Sequence, residues 1–255
     1  MVCGLVDTEG LQFTPHLEDV EQLNNKVLTE DVAMCKISYN TFLQVSERYA
    51  MLPCGSALGF GNGPLLVARR PETEIGPHSR IAIPGVHTTA ALLLALAYPK
   101  ARQTMPLLFS EIAPAVQAGD FDAGVLIHEG RFTYAQHGLH LVADLGACWE
   151  ARTGLPIPLG GIAVSRSLDP ELSQKLARVL RRSIAHALEQ PQASRSYVRL
   201  HAQEMDEQVI QNHIQLFVND YTLDIGIQGR AAVEALFAAT HTSSPTLESL
   251  FVAKR

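Results

Sequence analysis

The residues best equipped for chemistry lie in the stretch FDAGVLIHEGRFTYAQHG, residues 121–138. An apolar run over residues 123–127 stops abruptly at His128-Glu129-Gly130-Arg131. Such a run, bounded by turn residues, reads as a buried strand. In a parallel α/β sheet, ligands bind just beyond the carboxyl ends of the strands. His128 is therefore delivered to a place where reactions occur. An imidazole, with an ordinary pKa of about 6.5, takes up a proton close to neutral pH. General-base catalysis is one reading of His128, and a hydrogen-bonded polar residue at a strand end is the other; spacing alone leaves both open. Glu129 has the chemistry to orient or acidify the ring, yet neighbours along a strand point to opposite faces. Arg131 suits an ion pair or a substrate anion.

Two hydroxyl clusters, Lys36-Ile37-Ser38 and His87-Thr88-Thr89, each follow an expected strand and open an expected helix. A helix start offers N–H groups without intrahelical acceptors and a partial positive charge, which suits an anion. Hydroxyls added there make a clamp for a carboxylate or phosphate; the plainer reading is ordinary capping. The glycine-rich Gly59-Phe60-Gly61-Asn62-Gly63 lacks both the GxGxxG spacing and the Walker lysine, and a strand follows where a nucleotide site needs a helix, so it reads as a conformational loop. His128-Glu129 is not HExxH, because position 132 is Phe132. The remaining histidines have no spacing that demands a metal. Trp149 and Tyr134 suit an aromatic cleft wall or, by default, core packing.

The elements that must position these groups alternate between strand and helix. Alternating apolar residues at Leu11, Phe13, Pro15 and Leu17 predict a strand over 11–17, followed by a helix over 19–29. A strand over 31–37 leads to Ser38, an N-cap for a helix over 39–49. Strands are expected at 64–69 and 80–83, a helix at 90–98 opened by Thr88-Thr89, and a helix at 111–118 ended by Gly119. After the His128 strand comes a strand at 162–165. Asp169 and Pro170 then start a long helix with an apolar stripe at Leu172, Leu176, Val179, Leu180, Ile184 and Leu188. The rest of the chain, from Ala193, reads as mainly helical.

This order argues an α/β fold with parallel-rich sheets. The strands at 64–69 and 162–165 bracket a central segment with its own strands and helices. Two lobes follow: residues 1–68 with 166–255, and residues 69–165, with a ligand cleft between them.

Composition narrows the function. The 255 residues are 47% hydrophobic, ample for a real core. A net charge of −6 gives no basic footprint for nucleic acid. No stretch approaches the roughly 18 apolar residues of a membrane helix, and no secretory signal pattern opens the chain. Cys3, Cys35, Cys54 and Cys148 are scattered without a CxxC pair, which points to reduced thiols in the cytoplasm and away from zinc.

The run IHEGRFTYAQHGL, followed by DLGACWEARTGLPIPLGGIAV, closely resembles the 1,4-dihydroxy-6-naphthoate synthases of the futalosine route to menaquinone. DVAMCKISY, GSALGFGNGPLLVAR, PGVHTTA and FVNDYTLDIG match the same family in the same order, so the resemblance covers almost the whole chain. It implies a two-lobed fold like the type 2 periplasmic binding proteins, with mixed sheets and a central cleft. It implies a lyase that cleaves a carbon–carbon bond of cyclic dehypoxanthinyl futalosine to give 1,4-dihydroxy-6-naphthoate. His128 would be the general base, with Lys36, Ile37, Ser38, Thr88 and Thr89 at substrate-binding positions. The implied partner is a small molecule bearing a carboxylate; no metal or organic cofactor, nucleic acid or membrane is implied. The family pattern begins with a strand and a polar motif that this chain, opening at MVCGLVD, does not contain. Since losing an interior strand leaves unpaired edges, the native protein is expected to be roughly 20 residues longer. Two rivals share the architecture: a solute-binding protein without catalysis, and chorismate dehydratase.

Overall fold

Local chemistry starts most of the helices where the pattern places them. A computed structural model describes residues 1–30, 32–202, 206–240 and 247–253. Helix α1, Val20–Thr29, begins at Asp19, whose carboxylate accepts the N–H groups of Glu21 and Gln22 while the Gln22 side chain accepts the Asp19 N–H. Strand β1, Met34–Ser38, leads into α2, Tyr39–Val45. Three strands follow: β2, Tyr49–Met51; β3, Ala57–Gly59; and β4, Leu65–Ala68. Next come β5, Arg80–Ile83; α3, Thr89–Ala97; β6, Gln103–Pro106; α4, Phe109–Ala118; and β7, Ala123–Leu126. After β7 a short α5, Gly130–Thr133, precedes β8, His140–Asp144, then α6, Leu145–Thr153, and β9, Ile157–Ser165. Asp169 caps the long α7, Pro170–Glu189. Helices α8, Arg195–His201; α9, Glu207–Phe217; α10, Asp220–Leu223; α11, Gly226–Ala239; and α12, Leu247–Leu250 complete the chain.

The strands form two sheets. In the first, β9 pairs with β1, β2 and β3; the second runs β6-β5-β7-β4-β8. The second sheet is mixed and the first is wholly antiparallel, so the fold is less parallel than expected. Every pairing of β9 and of β4 is antiparallel, and only β5 runs parallel to its neighbours β6 and β7. The reason is topological: β4 and β9 enter their sheets from the crossings between lobes and so run against the strands that the helices return. Sheet membership also moves the expected division earlier in the chain. Strand β4 belongs wholly to the second sheet and β9 wholly to the first. The crossings therefore fall near residues 60–64 and 154–156, not at 68/69 and 165/166.

Three other expectations change. Residues 11–17 form no strand: Pro15 removes a ladder donor, and Leu11 and Phe13 instead pack on a cluster with Leu176 and Val164. The strand expected at 162–165 begins five residues earlier, its start masked in sequence by Pro158 and Gly160-Gly161. Strand β6, Gln103-Thr104-Met105-Pro106, carries no strand signal: it is exposed along its whole length at a sheet edge and ends in a proline. For the strand expected at 31–37, Asp31 lies outside the described residues and β1 covers the rest from Met34.

Burial explains how the lobes hold together. On β4, Leu66 and Ala68 join the main core while Leu65 and Val67 face a second cluster with Ile112 and Val116 of α4. The main core continues through Ile37, Phe42 and Ala163 of the first lobe to Ile81, Leu93 and Trp149 of the second. The first crossing lies flat on the start of α6. A Cβ on Gly63 would sit 2.4 Å from Gly146 Cα and 2.6 Å from its nitrogen, while the Gly61 N–H donates to Glu150 at 2.7 Å. Backbone cannot give way as a side chain tip can. Gly63→Ala is expected to cost about 1–3 kcal/mol or more by overpacking, read by urea unfolding; a change below about 0.5 kcal/mol, the range of neutral surface substitutions, would contradict this packing.

Candidate active site

Between the two sheets lies a cavity of about 700 Å³, its open mouth included. Lys36, Ile37, Ser38, Thr88, Thr89 and His128, the six residues expected at the site, all line it. They come together from the end of β1, the start of α3 and the turn after β7. Val20, Asn62, Leu159, His213 and Phe217 line it as well, and none of these was expected at the site.

The end of β1 divides its side chains by alternation. Ile37 is fully buried in the core, and Lys36 faces the cleft. Among the described residues no carboxylate lies within ion-pair distance of the Lys36 ammonium; the side chain keeps exposed surface in the open cleft, and partial desolvation by the cleft walls pushes its pKa down. Ser38 stands at the N-cap position of α2 but does not cap it. Instead the buried Asn24 of α1 holds it from both ends: Asn24 Nδ2 donates to Ser38 Oγ at 3.1 Å, and the Ser38 N–H donates to Asn24 Oδ1 at 2.9 Å. Accepting from Asn24 leaves the Ser38 hydroxyl proton available to a ligand.

Thr88 and Thr89 use their hydroxyls differently. Thr88 caps α3, accepting the Ala91 N–H at 3.2 Å and donating to Gly85 O at 2.8 Å. Thr89 joins the lobes, donating to Leu159 O of β9 at 2.7 Å and accepting the Asn40 N–H at 3.3 Å. Beside it, Thr41 Oγ1 donates to His87 O at 3.0 Å, and the Glu21 carboxylate accepts the His87 N–H at 3.1 Å. A Cβ on Gly85, whose φ is +151°, would collide with that carboxylate at 2.4 Å. Segment 85–89 is thus a latch onto α1, α2 and β9. The threonine hydroxyls are occupied; what remains for an anion is the N–H groups at the start of α3.

His128 has a φ of +53°. Histidine tolerates this left-handed region better than most side chains, yet it remains uncommon, and such strain concentrates at functional positions. The turn aims the ring into the cleft, where it stands 5.3 Å from the Phe109 ring and 5.8 Å from that of His213. Burial pulls the His128 pKa down to about 3, helped by the Lys36 ammonium and by His213. Burial and Lys36 likewise lower His213 to about 4. Both rings are neutral at pH 7, so each can accept a proton.

Stability carries the signature of these shifts. Unfolded, each imidazole titrates near about 6.5. Between that value and the folded values the unfolded chain binds more protons, so the stability these rings allow is fully present above about pH 6.5 and lost as pH falls toward about 3. Replacing both by Gln is expected to flatten the fall in urea-unfolding stability between pH 6.5 and 4.5. An unchanged slope would show that neither ring is depressed.

The neighbours of His128 take structural posts. Arg131 pairs with Asp144 at 3.3 Å and donates to the carbonyl of Gly63 at the crossing. Asp144 in turn caps α6 by accepting the Gly146 and Ala147 N–H groups. Among the described residues no hydrogen bond joins Glu129 to the His128 ring. Trp149 is buried in the main core and donates to Pro156 O at 3.1 Å, and Tyr134 packs on the cluster under α4, so neither lines the cavity.

Two sheets joined by crossing strands, with a cleft between them, define the periplasmic-binding-protein-like class. Solved proteins of that class superpose with TM-scores of 0.59–0.62 at 9–15% identity, which carries the fold alone. A crystal structure of an Archaeoglobus fulgidus protein is more similar: TM-score 0.83 at 35% identity, covering 88% of this chain and 83% of that one. Among curated proteins, the 1,4-dihydroxy-6-naphthoate synthase of Thermus thermophilus is 45% identical over 99% of this chain and 93% of its own length. That of Streptomyces coelicolor is 42% identical over 86% of this chain and 79% of its own. Residues 1–242 match the family described as menaquinone biosynthesis, and the chain belongs to that family. Among the described residues no helix is long and apolar enough to cross a membrane.

Proposed function

We propose that the chain is a lyase that converts cyclic dehypoxanthinyl futalosine to 1,4-dihydroxy-6-naphthoate in the cytoplasm, with His128 as the general base. The observation that carries the reading is a neutral imidazole, held at positive φ on the wall of the cavity that Lys36 and Ser38 also line. The family and the two similar synthases supply the reaction class.

The substrate carboxylate sits against Lys36, the Ser38 hydroxyl and the first N–H groups of α3. Its negative charge offsets the Lys36 ammonium, one of the causes that hold His128 down, so binding the substrate makes the ring a better base. His128 then removes a proton, the carbon–carbon bond breaks, the sugar-derived fragment leaves, and formation of the aromatic ring drives the step. A positioned base of this kind contributes a factor of about 10²–10⁴.

Presenting the purified protein with cyclic dehypoxanthinyl futalosine and, separately, with chorismate tests the assignment. Consumption of the first and not the second is expected. Consumption of chorismate would make the protein a dehydratase, and tight binding without consumption of either would make it a solute-binding protein.

A further inference from the structure

His213 lies far from His128 in the chain and reaches the same cavity from α9. Asp206 starts that helix by accepting the N–H groups of Gln208 and Val209. Ile210, His213 and Phe217 recur at helical spacing and so share one face, and α9 packs on β3 beside the cleft. The His213 ring stands 4.6 Å from Phe217 and 5.8 Å from His128. Its Nε2 is sealed from solvent and has no hydrogen-bond partner among the described residues. A core position flanked by Ile210 and Phe217 would be filled without cost by an apolar side chain. The ring nevertheless lines the cavity beside His128, and among the described residues no hydrogen bond occupies it, which leaves its one N–H for a ligand.

We propose that His213 is a second substrate-contacting group of the reaction, its ring N–H donating to the ring oxygen that gains negative charge as the carbon–carbon bond breaks. This rests on the lyase reading above. His128 takes a hydroxyl proton of the departing fragment, and the electrons of that O–H bond become part of a carbonyl. The pair from the broken carbon–carbon bond moves into the ring and out to its oxygen. That oxygen, one of the two hydroxyls of the dihydroxynaphthoate product, takes back a proton from the His128 imidazolium. His213 stabilises the oxyanion by hydrogen bonding and keeps its own proton, so both histidines end as they began. A neutral imidazole suits this role, because it presents one preorganised N–H and carries no charge of its own. The depressed basicity of His213 keeps it in that form at pH 7.

The test compares kcat and KM on cyclic dehypoxanthinyl futalosine for the wild type, His213→Phe, His213→Leu and His213→Gln, with thermal unfolding to verify the fold. Phe and Leu remove the donor, while Gln restores an amide N–H within the reach of the imidazole. Loss of an oxyanion donor lowers kcat by about 10²–10³, so Phe or Leu is expected to fall by that factor with KM changed less than about tenfold, and Gln to recover at least about tenfold. A folded Phe or Leu variant within about threefold of wild-type kcat, or a Gln variant no better than Leu, overturns the role. A wild type that does not turn over this substrate overturns the lyase reading itself, which separates the two failures.

Discussion

His128→Asn is expected to lower kcat for naphthoate formation by about 10²–10⁴, the contribution of a positioned general base. Asn is the informative replacement because it tolerates the left-handed backbone that His128 occupies at φ +53°. The turn after β7 therefore stays in place while the proton acceptor is lost. Neither Glu129 nor Arg131 can stand in for it. Among the described residues no hydrogen bond links Glu129 to the ring, and Arg131 is committed to Asp144 and Gly63. Thermal unfolding should change little, because no side-chain hydrogen bond of His128 holds the fold among the described residues. Turnover within about tenfold of wild type in a folded Asn variant would remove His128 from the role of base.

Lys36→Met is expected to raise KM by about tenfold to a hundredfold. A hydrogen bond to a charged group is worth about 1.5–3 kcal/mol, and among the described residues this ammonium has no carboxylate of its own to satisfy it. Met keeps the length and the apolar stem, so the loss is one of charge. The same change has a second signature. Lys36 helps to hold His128 and His213 down, so removing it should raise the pKa of both rings, and the acidic limb of kcat/KM should move toward neutral pH. Lys36→Arg keeps the charge and should leave that limb in place. A Met variant with KM within about threefold of wild type would place the substrate anion elsewhere.

Much of this site was legible because it depends on local pattern. The apolar run before His128 announced β7, and hydroxyls after strands announced the junctions at Ser38 and Thr88. What those hydroxyls do was not legible, because their partners are distant. Ser38 is held by Asn24 of α1, and Thr89 by Leu159 of β9 in the other lobe. His213 gave no signal beyond lying on the Ile210–Phe217 face of its helix; only packing of α9 on β3 brings it opposite His128. The division between lobes was misplaced for a related reason. Strands β4 and β9 look like boundaries in the sequence, and only their ladders reveal which sheet each belongs to. The exposed edge strand β6 owes its form to β5 and not to its own residues.

The most direct measurement follows the purified wild-type protein with cyclic dehypoxanthinyl futalosine by mass spectrometry and absorbance, beside His128→Asn at equal concentration. The account predicts stoichiometric then catalytic appearance of 1,4-dihydroxy-6-naphthoate with the wild type and a rate about 10²–10⁴ lower with the variant. Substrate that binds the wild type and is recovered unchanged, or equal product from both proteins, would contradict it.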